Sequence, residues 1–309
     1  MGASVDGDRL FLEFPTVHAD AELTVSFHRT VRVPDDGRSY PLPPSLGRFP
    51  LRVVEGGLVL PVWQSEACWI KFDSRYPFLV KVGSGRIDAV TGRPWNATPD
   101  FEAEDYFEVP AQPWIDGFCV AQGTVRQFVA APLGRGDTVE EQLASGTPLG
   151  GVQIVAYPIR PEIWDERKRL EVRQPIQAFT AVSAPMGFGA GGAIDQGIAT
   201  PVEPSGAWDL DHRSTVHVRL ANSAEWETLT GSPPPTEPTS AAEYTKRGFP
   251  WFELYDEGTA RQGSPELAEV ETVTQRAERR GDEPPAGNES IEVPEPIRIR
   301  RRRERPDPI

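Results

Sequence analysis

The chain has 309 residues, 38% of them hydrophobic and 25% charged, with 32 prolines, 28 glycines and two cysteines. Proline and glycine make up about a fifth of it, well above the roughly 12% of average usage. That excludes an architecture of long helices and favours a β-rich fold with many turns. The formal net charge of −14 repels phosphate backbones and argues against nucleic-acid binding by the folded part.

Residues 1–160 alternate strand signals with turns. Segments 10–14 and 23–33 read as strands, closed by Pro15 and by Pro34-Asp35-Asp36-Gly37. Tyr40-Pro41-Leu42-Pro43-Pro44 must be extended, because each proline pushes its predecessor out of the helical region. Segments 78–82 and 86–90 around Gly83-Ser84-Gly85 predict a hairpin with a three-residue glycine loop. A second pair, 118–121 and 124–130, flanks Gln122-Gly123, and 152–157 adds a strand stopped by Pro158 and Pro161. Asp137 followed by Glu140 predicts one short capped helix before Gly146. Short strands at this spacing predict a sandwich or a partly closed barrel.

The charged segment 164–173 predicts a short exposed helix joining two lobes. In the second lobe, 216–220 reads as a strand. Asn222 with Glu225 opens a helix stopped by Gly231, and Ser240 with Glu243 opens another ended by Gly248. Beyond Gly258 the chain holds one leucine and no aromatic, too little apolar mass to offset ordering. The expected fold class is therefore α+β, mainly β. It comprises a β-rich domain over 1–160, a smaller α+β lobe over 161–257 and a disordered tail over 258–309, with a transient helix over 267–280.

Cys68 and Cys119 lie in apolar runs and read as core thiols. The N-terminus lacks a cationic start and an apolar h-region, so no secretory signal is expected. The uncharged stretch 174–194 carries too many glycines and prolines for a membrane span. A cytoplasmic protein is expected, peripheral at a membrane if attached at all. Gly187-Phe188-Gly189-Ala190-Gly191-Gly192 fits G-x-G-x-x-G after a strand-like run over 178–184, but Pro185, Gly197 and Pro201 deny it the helix that a dinucleotide needs. It reads as a flexible glycine loop, and no cofactor and no metal site is expected.

Asp209, Asp211 and His212 are the weak candidates for acid–base chemistry. On a strand the two aspartates would face one side and His212 the other. Asp100, Glu102, Glu104, Asp105 and Glu108 form the densest acidic patch, read as a solvated loop with cation or basic-partner binding next; paired carboxylates can also hydrolyse glycosidic bonds, given the right separation across a cleft. Eight tryptophans are expected mostly in the core. Arg298, Arg300, Arg301, Arg302, Arg303 and Arg305 give the last twelve residues a charge of +4, leaving −18 on the body. They are the candidate site for an anionic partner, whether protein, lipid surface or nucleic acid, unless the tail folds back on the acidic body. The leading expectation is a non-catalytic binding or assembly protein that recruits this partner. On that view, deleting 281–309 removes binding and leaves the melting temperature unchanged. A hydrolase or carbohydrate-acting enzyme using the clustered carboxylates is the alternative.

The segments Trp63-Gln64-Ser65-Glu66-Ala67-Cys68-Trp69, Pro113-Trp114-Ile115-Asp116-Gly117-Phe118, Arg126-Gln127-Phe128-Val129-Ala130, Gly150-Gly151-Val152-Gln153-Ile154, Ala207-Trp208-Asp209-Leu210 and Phe249-Pro250-Trp251-Phe252 carry a likeness. Over residues 25–257 the chain resembles a family of uncharacterised bacterial and fungal proteins often labelled "integral membrane protein". The resemblance implies no activity and no catalytic residue. Its membrane label conflicts with the bilayer physics of this sequence; peripheral attachment through the tail would reconcile the two.

Overall fold

The computed structural model describes residues 2–54, 57–168, 186–234, 236–255 and 260–300. In chain order the strands are Gly2–Asp6 (β1), Arg9–Glu13 (β2), Glu22–Thr30 (β3), Ser39–Tyr40 (β4), Arg52–Val54 (β5), Gly57–Pro61 (β6), Ala67–Asp73 (β7), Phe78–Ser84 (β8) and Ile87–Asp88 (β9). They continue as Phe107–Val109 (β10), Trp114–Ile115 (β11), Gly117–Ala121 (β12), Thr124–Ala131 (β13), Val152–Pro158 (β14), Gly187–Asp195 (β15), Ser214–Ala221 (β16), Phe252–Tyr255 (β17) and Ile297–Arg300 (β18). The helices are Val139–Leu143 (α1), Pro161–Lys168 (α2), Ser223–Thr230 (α3), Ala241–Lys246 (α4), Pro265–Ala268 (α5) and Val273–Arg280 (α6).

The fold is α+β and mainly β. A nine-stranded sheet runs β1-β2-β3-β7-β13-β15-β4, with β11 beside β7 and β12 beside β13; a seven-stranded sheet runs β10-β8-β14-β16-β6-β5, with β9 beside β8. Neither path closes into a barrel. Both sheets are mixed: β15 pairs β4 and β16 pairs β6 in parallel, among otherwise antiparallel neighbours. Strands with one buried face alternate as the period of two demands. Leu10 and Leu12 of β2 point inward between partly exposed neighbours, and Ile70 and Phe72 do so on β7. The central strands β8 and β14 are buried along their whole length, so both their faces are covered. The sheets share one core, with Phe72 of β7 edge-on to Phe107 of β10 at 5.2 Å between ring centroids.

Pairing crosses the boundary expected near residue 160, because β15 lies against β13 and β16 against β14. The expected glycine loop is strand β15, buried over Gly187–Gly192. Its glycines answer to close packing. A Cβ on Gly192 would stand 2.2 Å from the Pro34 carbonyl oxygen, and one on Gly189 would stand 2.6 Å from Val273 and 2.8 Å from the Asp137 carbonyl oxygen. The run 178–184 proposed to precede it, and residues 169–173 of the linking helix, lie outside the described residues.

The structure also differs from expectation over Ala260–Arg300, which is ordered against the body. Leu267, Val270, Val273, Ala277 and Ile291 are buried. Thr272 caps α6 in a capping box with Gln275. The buried Arg32 guanidinium donates to Asn288 Oδ1 at 3.1 Å and to the carbonyls of Pro285 and Ala286 at 3.0 and 2.8 Å. Backbone pairing joins β18 to β17 in parallel, placing Arg298 Nε 2.9 Å from Glu253 Oε2. Arg301, Arg302, Arg303 and Arg305 lie outside the described residues. Removing 281–309 takes away both the acceptors of Arg32 and the apolar Ile291. We therefore expect a chain ending at Arg280 to melt at least about 3 °C lower, a loss of roughly 2 kcal/mol or more; thermal unfolding followed by circular dichroism checks this.

Candidate functional site

The β8–β9 hairpin is tighter than the glycine spacing predicts. Ladder pairing of Gly83 with Asp88 and Ser84 with Ile87 leaves Gly85 and Arg86 as the turn, with Gly85 at φ 57°. Asp88 then organises the turn that follows: its Oδ1 accepts from Val90 N, Thr91 N and Thr91 Oγ1 at 2.9–3.0 Å. Beneath it lies Lys81, fully buried, paired with Asp105, donating to the Thr98 carbonyl at 3.1 Å and sitting 5.5 Å from the Trp95 ring centroid. Burial pushes the Asp88 carboxyl up to about 6, against the pull of Lys81 and its own hydrogen bonds.

Against this turn runs the returning segment from Ala260. Arg261 N donates to the Ile198 carbonyl at 2.9 Å, Gln122 Nε2 to the Ala260 carbonyl at 3.0 Å and Ser264 N to the Cys119 carbonyl at 2.8 Å. A side chain at Gly263 would strike the backbone of β12 at 2.1 Å, so only glycine lets the two chains lie this close. Between turn and return segment opens a cleft of about 570 Å³, lined by Val90, Thr91, Glu104, Arg261, Gly263 and Ser264, with Glu102, Glu266 and Arg93 also on its walls. The volume lies within the ordinary range of small-molecule sites.

Arg261 is the chemical centre of this cleft. Its side chain is 6% exposed. The Nη1 group donates to the Glu104 carbonyl. Nε and Nη2, the two donors of one edge of the planar guanidinium, find no hydrogen-bond acceptor among the described residues. The nearest carboxylate, Glu104 Oε2, is 3.6 Å from Nη2, an ion-pair distance and not a hydrogen bond. Burial lowers the guanidinium below its ordinary value, opposed by Cys119, Glu104 and Asp88.

The residues singled out by sequence fall elsewhere. Asp209, Asp211 and His212 occupy a turn instead of a strand, so Asp209 and His212 meet: His212 Nδ1 lies 2.9 Å from Asp209 Oδ2, while Asp209 Oδ1 accepts from Asp211 N at 3.1 Å. None of the three lines the cleft. The acidic patch is largely structural. Asp105 neutralises Lys81, Glu108 accepts from Val202 N and Glu203 N at 3.0 and 2.9 Å, and Asp100 caps its own turn. Only Glu102 and Glu104 of that patch reach the cleft. Both cysteines are free and buried, and burial raises the Cys119 thiol to about 11. Arg261 itself is missed by sequence reading; its signal was a lone arginine in a polar stretch between Ala260 and Gly263.

Among the described residues no group of three His, Cys, Asp or Glu side chains is placed to hold a metal ion. No known family, no curated protein and no solved structure matches this chain. The resemblance to proteins labelled as integral to membranes is thereby corrected. No family supports it, and no helix among the described residues is long and apolar enough to cross a membrane.

Asp116 offers a pH signature. It is fully buried, its backbone N donates to Gln196 Oε1 at 3.0 Å, and its carboxylate accepts from Gln196 Nε2. Burial outweighs those hydrogen bonds and raises it to about 7. An unfolded aspartate titrates near 4, so the fold holds this proton more tightly than the unfolded chain does. The resulting stabilisation is complete below about pH 4 and is lost as the pH rises through 7. We expect Asp116→Asn to flatten the fall in unfolding free energy between pH 4 and pH 7, by up to about 1.4 kcal/mol per pH unit. Urea titrations of both proteins at each pH provide the measurement; equal slopes would mean an ionised carboxylate in the fold.

Proposed function

We propose that the protein is a binding module whose cleft takes a small anion on the free edge of Arg261. The observation that carries this reading is a guanidinium with a 6% exposed side chain whose Nε and Nη2 both lack an acceptor at the wall of a cleft. Each unmet buried donor costs about 1–3 kcal/mol. Nε–H and one Nη2–H point in parallel, the pattern that a carboxylate or phosphate fills with two oxygens at once. Thr91, Thr200 and Ser264 supply further polar wall. This reading keeps the non-catalytic binding role expected from composition and moves it from the tail to the cleft. Arg298 is engaged by Glu253. The hydrolase reading loses Asp209 and Asp211, which stand outside the cleft, and keeps only Glu102 and Glu104 of the 100–108 carboxylates at its wall.

Calorimetric titration with butyrate and with inorganic phosphate tests the proposal. Binding of at least one of them is expected, with Arg261→Met weakening it by roughly 10- to 100-fold, the scale of two charge-assisted bonds. Because the variant removes unmet donors together with one made bond, its melting temperature is expected to stay within a few degrees of the parent. Arg261→Lys keeps the charge without the planar fork and is expected to bind weakly as well. Absence of binding by both probes and by γ-aminobutyrate, a carboxylate that also carries an ammonium group, rejects the proposal.

A further inference from the structure

The cleft whose wall holds Arg261 is otherwise acidic. Glu102, Glu104 and Glu266 line it, against Arg93 and Arg261. Arg93 Nη1 is 3.6 Å from Asp100 Oδ2, outside the cleft lining. Glu266 Oε2 accepts from Ser264 Oγ at 2.9 Å, and its carboxyl is held below the usual range by hydrogen bonds, so it stays charged. Glu104 has a 41% exposed side chain and stands beside the guanidinium without a hydrogen bond to its Nη2. Its backbone sits at φ 50°, and its carbonyl takes Nη1. Beside the cleft, therefore, lies a cationic fork without acceptors and closed to solvent, with the partly exposed carboxylate of Glu104 immediately next to it.

A bare dianion placed on that fork meets Glu104, whose Oε2 is 3.6 Å from Nη2, with Glu102 and Glu266 on the same cleft, and repulsion offsets much of what the fork contributes. A ligand carrying its own cation a few bonds from its anionic end reverses the sign of that term. Its carboxylate completes Nε and Nη2, and its ammonium donates to Glu104, with Glu102 and Glu266 adding to the field. Resting on the anion-binding reading above, we infer that the cleft selects a small zwitterion, an amine-bearing carboxylate of the amino-acid class. Arg261 is the carboxylate site and Glu104 the ammonium site. A volume of about 570 Å³ admits a free amino acid or a compact derivative of one and falls within the span of small-ligand pockets.

The deciding experiment compares γ-aminobutyrate with butyrate, which share a carbon chain and differ by the ammonium group, with inorganic phosphate as a third probe. All three are titrated into the full-length protein at low salt. The expected result is γ-aminobutyrate at least about tenfold tighter than butyrate, the scale of one charge-assisted hydrogen bond, with phosphate weakest. Glu104→Gln is expected to bring the two organic probes within about threefold of each other, since it removes the ammonium's partner and leaves the Arg261 fork intact. Butyrate and phosphate binding as tightly as γ-aminobutyrate, with all binding lost in Arg261→Met, would overturn the zwitterion inference and leave the anion site standing. Silence from all three probes would end both. A wild-type preference that survives Glu104→Gln would overturn the assignment of the ammonium site. Should that variant fail to fold, the wild-type ratio of the two affinities decides on its own.

Discussion

A buried guanidinium must find acceptors, and in this protein that requirement helps hold the segment 260–300 in place. Arg32 takes three oxygens from Pro285, Ala286 and Asn288. Arg126 reaches the Val270 carbonyl, and Arg280 reaches back to Asp137. Gln142 exchanges two bonds with the backbone of Glu271 at 2.9 Å each. The segment from Ala260 onward contributes few apolar side chains, but it carries carbonyl groups that close the hydrogen-bonding requirement of the sheets' outer faces. Leaving one such charged donor unmet costs more than a neutral contact of the same size adds. Ordering a hydrophilic strap is thus the lesser cost.

The same requirement makes Arg261 conspicuous. The chain on either side of it is pinned by bonds to Ile198, Gln122 and Cys119, and its Nη1 is fixed by the Glu104 carbonyl. The side chain cannot swing to satisfy its other edge without breaking the Nη1 bond. A donor pair held rigid, dry and unfilled is the preorganised condition under which a ligand gains most from a bidentate bond, because little freedom remains to be lost on binding. Arg32 and Arg29, equally buried, show the ordinary outcome: the former is engaged by the strap, the latter by Glu66 and the Thr236 carbonyl.

Most local signals read from the sequence held where the chain's neighbours in space were its neighbours in sequence, the tighter β8–β9 turn apart. The β12–β13 hairpin turns at Gly123 with φ 75°, Asn222 caps α3 with Gly231 in the left-handed position, and Ser240 caps α4. The cap of α1 is displaced by one residue: Thr138 performs it with Glu141, and Asp137 instead pairs with Arg280. That partner lies far along the chain and leaves no local mark. Glycine spacing misled in the same way. In β15 the small residues serve Pro34, Asp137 and Val273, which no local pattern announces. The tail misled because apolar content measures only one of the two ways a segment is ordered. Its polar groups find buried partners, and composition is blind to that. Arg261 was illegible for the same reason, since a missing acceptor is a property of the surroundings.

Charge in this chain is consequently a poor guide when counted by segment and a good one when counted by place. The acidic run 100–108 looks like a single patch, but Asp105 and Glu108 are drawn inward by Lys81 and by the backbone at Val202 and Glu203. Glu102 and Glu104 remain at the cleft and join Glu266 from more than 150 residues away in sequence. A body at net −14 slows the approach of any anion at low ionic strength. An anionic ligand must therefore draw its affinity from short-range contacts that appear only after it has entered: the two aligned donors of Arg261 and, for a ligand bearing a cation, the carboxylate beside them. An acidic wall around a single cationic fork is in this sense a filter. It discriminates against simple anions at a distance and rewards opposite charges held a few ångströms apart.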